Sequence, residues 1–187
     1  MQYPNSIKKS FNKEKVSHAN RGMKLESLIN LSNDYYRDIN RAIIYKKPTP
    51  IKIVNTNFSN KGLRITDAFF ETPSTLDYNG IYKGKYIDFD AKETKETTRF
   101  PLQNLHEHQL IHMKRILEHG GITFLIISMN NEYYYLDGKD IIEYINNNPD
   151  KKSITFKYIE EKGFVINKKI NPRIDYLEVI DILYFKE

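Results

Sequence analysis

The chain has 187 residues, 40% hydrophobic and 28% charged, which is enough for one domain with a packed core and too apolar for wholesale disorder. It contains no cysteine, so disulfide frameworks, cysteine-ligated zinc, iron–sulfur clusters and thiol nucleophiles are excluded together. The net charge of +5 is unevenly placed: the first 24 residues hold six basic side chains against one acidic, and the remainder balances. A basic arm over residues 1–19 is therefore expected, of the kind that lies along a polyanion.

Met1 to Ser10 carries Lys8 and Lys9 and no apolar block, so no secretory signal is expected. The longest apolar run, Ile122 to Met129, is far too short to cross a bilayer. A cytoplasmic protein with no membrane partner is the expectation. In chain order, apolar spacing predicts a helix from Asn20 to about Ile39 and a short β-prone run at Ala42 to Tyr45. Lys47-Pro48-Thr49-Pro50 must be extended. Ile51 to Phe58 and Leu63 to Phe70 read as strands around the turn Ser59-Asn60-Lys61-Gly62. Further strands are expected over Ser74 to Tyr82 and Lys85 to Lys92.

Leu102 to His119 is expected as a helix, begun by Pro101 and stopped by Gly120-Gly121. Ile122 to Met129 is a buried strand, paired with Glu132 to Leu136 across Asn130-Asn131. A helix from Asp137 to about Asn147, a mixed Lys- and Asn-rich stretch, and a helix from about Ile174 to Tyr184 complete the chain. This order predicts a mixed α/β domain built on a central sheet.

The chemistry concentrates between Ser74 and Lys92. Ile87, Phe89 and Ala91 alternate with Asp88, Asp90 and Lys92, so the apolar three face a core and the charged three share the other side. With Lys83-Gly84 as a two-residue turn, Asp77 falls opposite Asp90, Thr75 opposite Lys92 and Asn79 opposite Asp88. Opposed Cβ atoms lie ~4.5–5.5 Å apart, and like charges at that separation repel unless a cation sits between them. Asn79-Gly80 is a competing turn signal that would separate Asp77 from Asp90. Two carboxylates with hydroxyl and amide oxygens suit Mg²⁺ or Mn²⁺, and Lys92 reaches the same point to meet negative charge on a phosphate. That combination fits metal-assisted phosphodiester hydrolysis.

Asp77, followed thirteen residues later by Asp90-Ala91-Lys92, resembles the PD-(D/E)xK nuclease signature. With Lys46-Lys47-Pro48-Thr49-Pro50, Ser74 to Gly80, Phe100-Pro101-Leu102-Gln103-Asn104, His106 to Met113 and Pro172 to Tyr176, the chain resembles the RecU family of Holliday junction resolvases from about Asn20 onward. Two positions depart from the pattern: Leu76 stands where the general signature has Pro, and Asp90 where relatives often carry Glu.

The resemblance implies a nuclease-like mixed sheet flanked by helices, with residues 20–187 as the nuclease domain and residues 48–73 as a projecting β-hairpin stalk. It implies a Mg²⁺-dependent endonuclease, with Mn²⁺ as a plausible substitute, that cuts four-way DNA junctions symmetrically in recombination and repair. Thr75, Asp77, Asp90 and Gln109 match the family's metal positions, and Lys92 its transition-state-stabilising lysine. On the stalk, Lys52, Lys61, Arg64 and Phe58 are candidate DNA contacts. A homodimer is implied, because opposed strands of a symmetric junction call for two equivalent sites. A recombinase and a branch-migration helicase are the implied protein partners.

Gln109 is independently plausible, since Leu105, Gln109, His112, Met113 and Ile116 form one helical face that should meet the sheet. Glu26 is a further candidate for a metal or water contact. The histidines His106, His108, His112 and His119 make a poor zinc site: the His-Glu-x-x-His pattern fails at its last place, and two ligands four apart lack a third. Neither a P-loop nor a GxGxxG string is present. The competing readings are a junction-binding scaffold that does not cleave, and a related nuclease acting on other branched DNA.

Overall fold

The computed structural model describes residues 24–71 and 75–185. The basic arm, the start of the first expected helix and Ser74 lie outside the described residues. Helix α1 (Leu25–Asp38) buries Leu25, Leu28, Ile29 and Tyr36. Strand β1 (Ile43–Lys46) follows, then the ribbon β2 (Ile51–Ser59) and β3 (Gly62–Phe70). Strands β4 (Tyr78–Tyr82), β5 (Lys85–Glu93) and β6 (Arg99–Pro101) lead to α2 (Glu107–Glu118). The chain continues through β7 (Ile122–Met129), β8 (Glu132–Asp137) and α3 (Gly138–Asn147). It ends with β9 (Ser153–Thr155), α4 (Phe156–Lys162), β10 (Phe164–Val165) and α5 (Tyr176–Tyr184).

The central sheet has six strands in the order β1-β4-β5-β7-β8-β10, with β5 and β7 parallel and the other pairs antiparallel. One face packs Ile87, Phe89, Phe124 and Ile126 against α1 and α5; the other packs Leu125, Ile127 and Leu136 with Met113 of α2, Ile141 of α3 and Ile159 of α4. Two-sided burial of β7 accounts for its unbroken apolar run.

The β4–β5 hairpin takes the expected register, with Asn79 opposite Asp88 and Tyr78 opposite Phe89. Lys83 and Gly84 have φ of 47° and 76°, the positive pair that a tight two-residue hairpin turn requires. Stacked rings hold this register from the opposite face. Tyr78 lies on Phe89 at 4.8 Å, Phe89 on Phe124 at 4.5 Å and Phe124 on Tyr135 at 4.3 Å between centroids. A slip of one residue would break that stack and turn every side chain over.

The structure corrects four expectations. Strand β4 begins at Tyr78 rather than Ser74, so the Asp77–Asp90 and Thr75–Lys92 pairs lie beyond the end of the ladder. Helix α2 begins at Glu107, five residues late, because Pro101 belongs to β6, which pairs with β9, and Leu102–Asn104 forms a single 3₁₀ turn. The Lys- and Asn-rich stretch is ordered as β9, α4 and β10. The last helix starts at Tyr176, because Ile174 is engaged in a bridge to Lys168.

The β2–β3 ribbon forms a sheet of its own, and every residue of both strands is exposed. It is therefore no cover for the central sheet. Nine residues at ~3.3 Å each give a reach of ~30 Å.

Candidate active site

The site grows from the end of β5. Asp90 is completely buried. Oδ1 accepts the Ala91 N–H at 2.7 Å, and Oδ2 accepts Gln109 Nε2 at 2.6 Å and pairs with Lys92 Nζ at 2.9 Å. Lys92 comes to Asp90 because period two returns it to the same face of the strand. Gln109 arrives from the first turn of α2, where its Oε1 also accepts the His106 N–H at 3.0 Å and so caps the helix.

Asp77 approaches from the segment before β4. Its residue is exposed as a whole, yet its carboxyl end meets Asp90. Burial of that carboxyl, and next the charge of Asp90, raise the Asp77 pKa above the ordinary carboxylate range, while Lys92 and Lys46 pull it down. The Asp77 carbonyl accepts the Lys47 N–H at 2.7 Å, which fixes the segment on the foot of the ribbon.

Thr75 is half-buried, and among the described residues its hydroxyl makes a long 3.4 Å contact to the Leu76 carbonyl. Glu26 pairs with Lys46 Nζ and shares with Asp77, Tyr78 and Glu93 an open cavity of about 240 Å³. The Tyr78 hydroxyl is buried without a hydrogen-bond partner among the described residues. Burial, Asp77 and Asp90 raise its pKa far above its ordinary value, so it stays a neutral phenol.

The face carrying Asp88, Asp90 and Lys92 differs from a solvated one, because both aspartates are fully buried. Sequence reasoning missed the partners of Asp88: Lys47 Nζ at 2.7 Å, the Tyr86 hydroxyl at 2.7 Å and His112 Nε2 at 3.1 Å all meet its Oδ2. His112 is thereby engaged by a carboxylate rather than paired with His108. The alternation in β5 pointed to Asp88, but nothing local pointed to Lys47 or His112.

Among the described residues, no three His, Cys, Asp or Glu side chains cluster as a metal site. The acidic pair fits a small hard cation, because the repulsion that raises the Asp77 pKa is what a cation would relieve. Gln109 presents its nitrogen to Asp90, so its oxygen can serve as a ligand only through the lone pair not engaged by His106, or after the amide turns over.

Of the ribbon candidates, Phe58, Lys61 and Arg64 gather at the tip, where Phe58 pairs with Leu63 and Arg64 with Asn57. Lys52 sits at the foot opposite Phe69. Phe58 is 83% exposed, an unusual outlay of apolar area for a ring that covers nothing.

A mixed sheet with a buried aspartate, a lysine two residues on and a second carboxylate brought against them defines a protein of the nuclease-like α/β class. The family model described as Recombination protein U, RecU, matches residues 20–182. A protein named Holliday junction resolvase RecU from Bacillus cytotoxicus is 48% identical over 177 residues, covering 92% of this chain and 88% of the relative. Its namesake in Bacillus mycoides is 49% identical over 177 residues, with the same 92% and 88% coverage. This chain belongs to the RecU family. Among solved structures, the Holliday junction resolvase Hjc of Archaeoglobus fulgidus covers 71% of this chain and 93% of its own, at 8% identity and a TM-score of 0.39, a likeness too slight to carry weight.

Proposed function

We infer that this chain is a structure-specific endonuclease that resolves four-way DNA junctions by hydrolysing phosphodiester bonds. The observation that carries the reading is the buried Asp90 held between Lys92 and Gln109 with Asp77 pressed against it, in a chain of the RecU family. A protein that only bound DNA would gain nothing from a repulsive carboxylate pair at that place.

Asp77 and Asp90 would hold Mg²⁺, with Thr75 and Gln109 completing the oxygen set and Mn²⁺ able to substitute. Bound there, the ion would supply an activated water and neutralise charge developing on the phosphate. The chain's own residues do the rest. Gln109 and the Ala91 N–H hold the Asp90 carboxylate in one orientation, so its position does not depend on solvent. Lys92, with a side chain 20% exposed, is anchored on Asp90 while its ammonium remains able to meet the scissile phosphate. The ribbon extends charge and an exposed ring ~30 Å from the sheet, suited to phosphates and unstacked bases at a junction centre. A homodimer would present two such sites to opposed strands. On the same family reading, the protein works in the cytoplasm alongside a recombinase and a branch-migration helicase.

The test uses a labelled synthetic four-way junction and a matching linear duplex, with Mg²⁺ or with EDTA, for the natural chain and for Asp77→Ala and Lys92→Ala. Paired nicks at symmetric positions in the junction alone, abolished by EDTA and by either substitution, are expected. Tight junction binding without cleavage in Mg²⁺ or Mn²⁺ would overturn the reading in favour of a scaffold.

A further inference from the structure

Asp88 is a fully buried carboxylate that the chemistry above does not use. Three donors converge on its Oδ2, while its Oδ1 is buried without a hydrogen-bond partner among the described residues. A carboxylate turned so one-sidedly is placed by its donors, and those donors come from separate parts of the fold.

Lys47 lies just past β1, and its own N–H holds the Asp77 carbonyl at 2.7 Å. One residue thus grips the Asp77 segment with its backbone and the Asp88 carboxylate with its side chain. His112 stands one helical turn after Gln109 on α2, so its bond to Asp88 fixes the rotation and depth of the helix end that presents Gln109 to Asp90. Tyr86 precedes Asp88 on β5 and also accepts the Asn79 amide at 3.3 Å, which ties in β4. Asp88 itself lies two residues before Asp90 on the same strand face. Asp77, Asp90 and Gln109 therefore ride on three segments that meet at one buried oxygen.

We propose that Asp88, with Lys47, Tyr86 and His112, is a positioning brace that sets the distance between the metal-holding residues. It touches neither the phosphate nor the ion. The proposal rests on the metal-site reading above. Partners that orient metal ligands without binding the metal typically contribute 10–100-fold in metal affinity or activity. The ribbon begins four residues after Lys47, across Pro48-Thr49-Pro50, so the brace also anchors the foot of the element proposed to enter the junction.

The experiment is a titration of the full chain with Mn²⁺, read by calorimetry, together with thermal melts in EDTA. The variants are Tyr86→Phe, His112→Leu, His112→Gln and Asp77→Ala. The brace predicts that His112→Leu weakens Mn²⁺ binding by about 10–100-fold, that Tyr86→Phe weakens it less, and that His112→Gln, which keeps a donor, restores most of the loss. The Mg²⁺ concentration needed for half-maximal junction cleavage should rise in step. Unchanged Mn²⁺ affinity in both His112→Leu and Tyr86→Phe, with affinity lost in Asp77→Ala, overturns the brace and leaves the metal site standing. Mn²⁺ affinity retained in Asp77→Ala overturns the metal-site reading, and the brace with it. Tyr86→Phe keeps the ring and its packing, so its result stands even if His112→Leu melts early.

Discussion

Replacing Gln109 by Met isolates the contribution of one amide to the site. The side chains are similar in length, and Gln109 is 5% exposed, so the change removes hydrogen bonds rather than packing. Two bonds disappear: Nε2 to Asp90 Oδ2 at 2.6 Å, and the His106 N–H to Oε1 at 3.0 Å. The first weighs more, because Asp90 is wholly buried and water cannot replace the donor. Depriving a buried carboxylate of one donor costs ~1.5–3 kcal/mol. The second lies at an exposed helix start, where water substitutes, and is worth ~0.5 kcal/mol. Together they amount to ~2–3.5 kcal/mol, set against a total stability of ~5–15 kcal/mol for a domain. For a chain of this size that is a fall in melting temperature of ~4–14 °C. Thermal denaturation in EDTA reads it directly. A double-mutant cycle with Asp90→Asn separates the Asp90 bond from the cap, since only the former should couple. A melting temperature within ~1 °C of the natural chain, or no coupling with Asp90→Asn, would refute the argument that Gln109 holds Asp90.

Asp77→Asn relieves the carboxylate pair, so the variant should melt higher than the natural chain in EDTA at neutral pH, and Mn²⁺ should raise the natural chain but not the variant; a lower melting point in EDTA would count against repulsion at the site. Asp140, in the first turn of α3, is pushed up from 3.8 to about 6 by burial and next by the charge of Asp137. The folded chain therefore holds that proton more tightly than the unfolded chain, and stability falls as pH rises from about 4 to about 6 and levels off above. The full shift corresponds to ~3 kcal/mol, reduced to ~1–2 kcal/mol because solvent reaches part of the carboxyl. Asp140→Asn should be more stable than the natural chain by that amount at pH 7 and equal to it near pH 4, as denaturant titrations at both pH values would reveal. Replacing Lys61 and Arg64 by Ala at the ribbon tip should weaken junction binding more than duplex binding in a gel-shift titration; equal loss would remove the ribbon from junction recognition.

The parts of the fold legible in sequence were those fixed by short-range rules. The β4–β5 hairpin followed from alternation and from Lys83-Gly84, because a positive-φ turn and period two are local properties. The competing turn at Asn79-Gly80 loses because it would break the stack of Tyr78, Phe89 and Phe124, whose last member lies across the parallel neighbour β7. Pro101 looked like a helix start and is instead a strand residue, because its partner Ser153 lies some fifty residues away in a stretch with no strong periodicity of its own. Gln109 was readable from its place on the helix face, but its attachment to Asp90 was not.

Asp88 and Asp90 show where pattern stops and packing decides. In sequence they stand two apart on the same face of one strand, with Asp90 expected opposite Asp77 and Asp88 opposite Asn79. Helix α2 covers that face and makes both wholly buried, and their environments then diverge according to what each element brings. Asp90 meets Lys92, Gln109 and a second carboxylate, which concentrates charge at the end of β5. Asp88 meets Lys47, Tyr86 and His112, which bring an ammonium, a hydroxyl and an imidazole nitrogen to a single oxygen. The first environment has a use for a cation and the second has already been supplied with donors. Two identical residues are thus assigned different work in part by Gln109, His112 and Lys47, which lie 19, 24 and 41 positions away from the aspartates they meet, separations no local period can report.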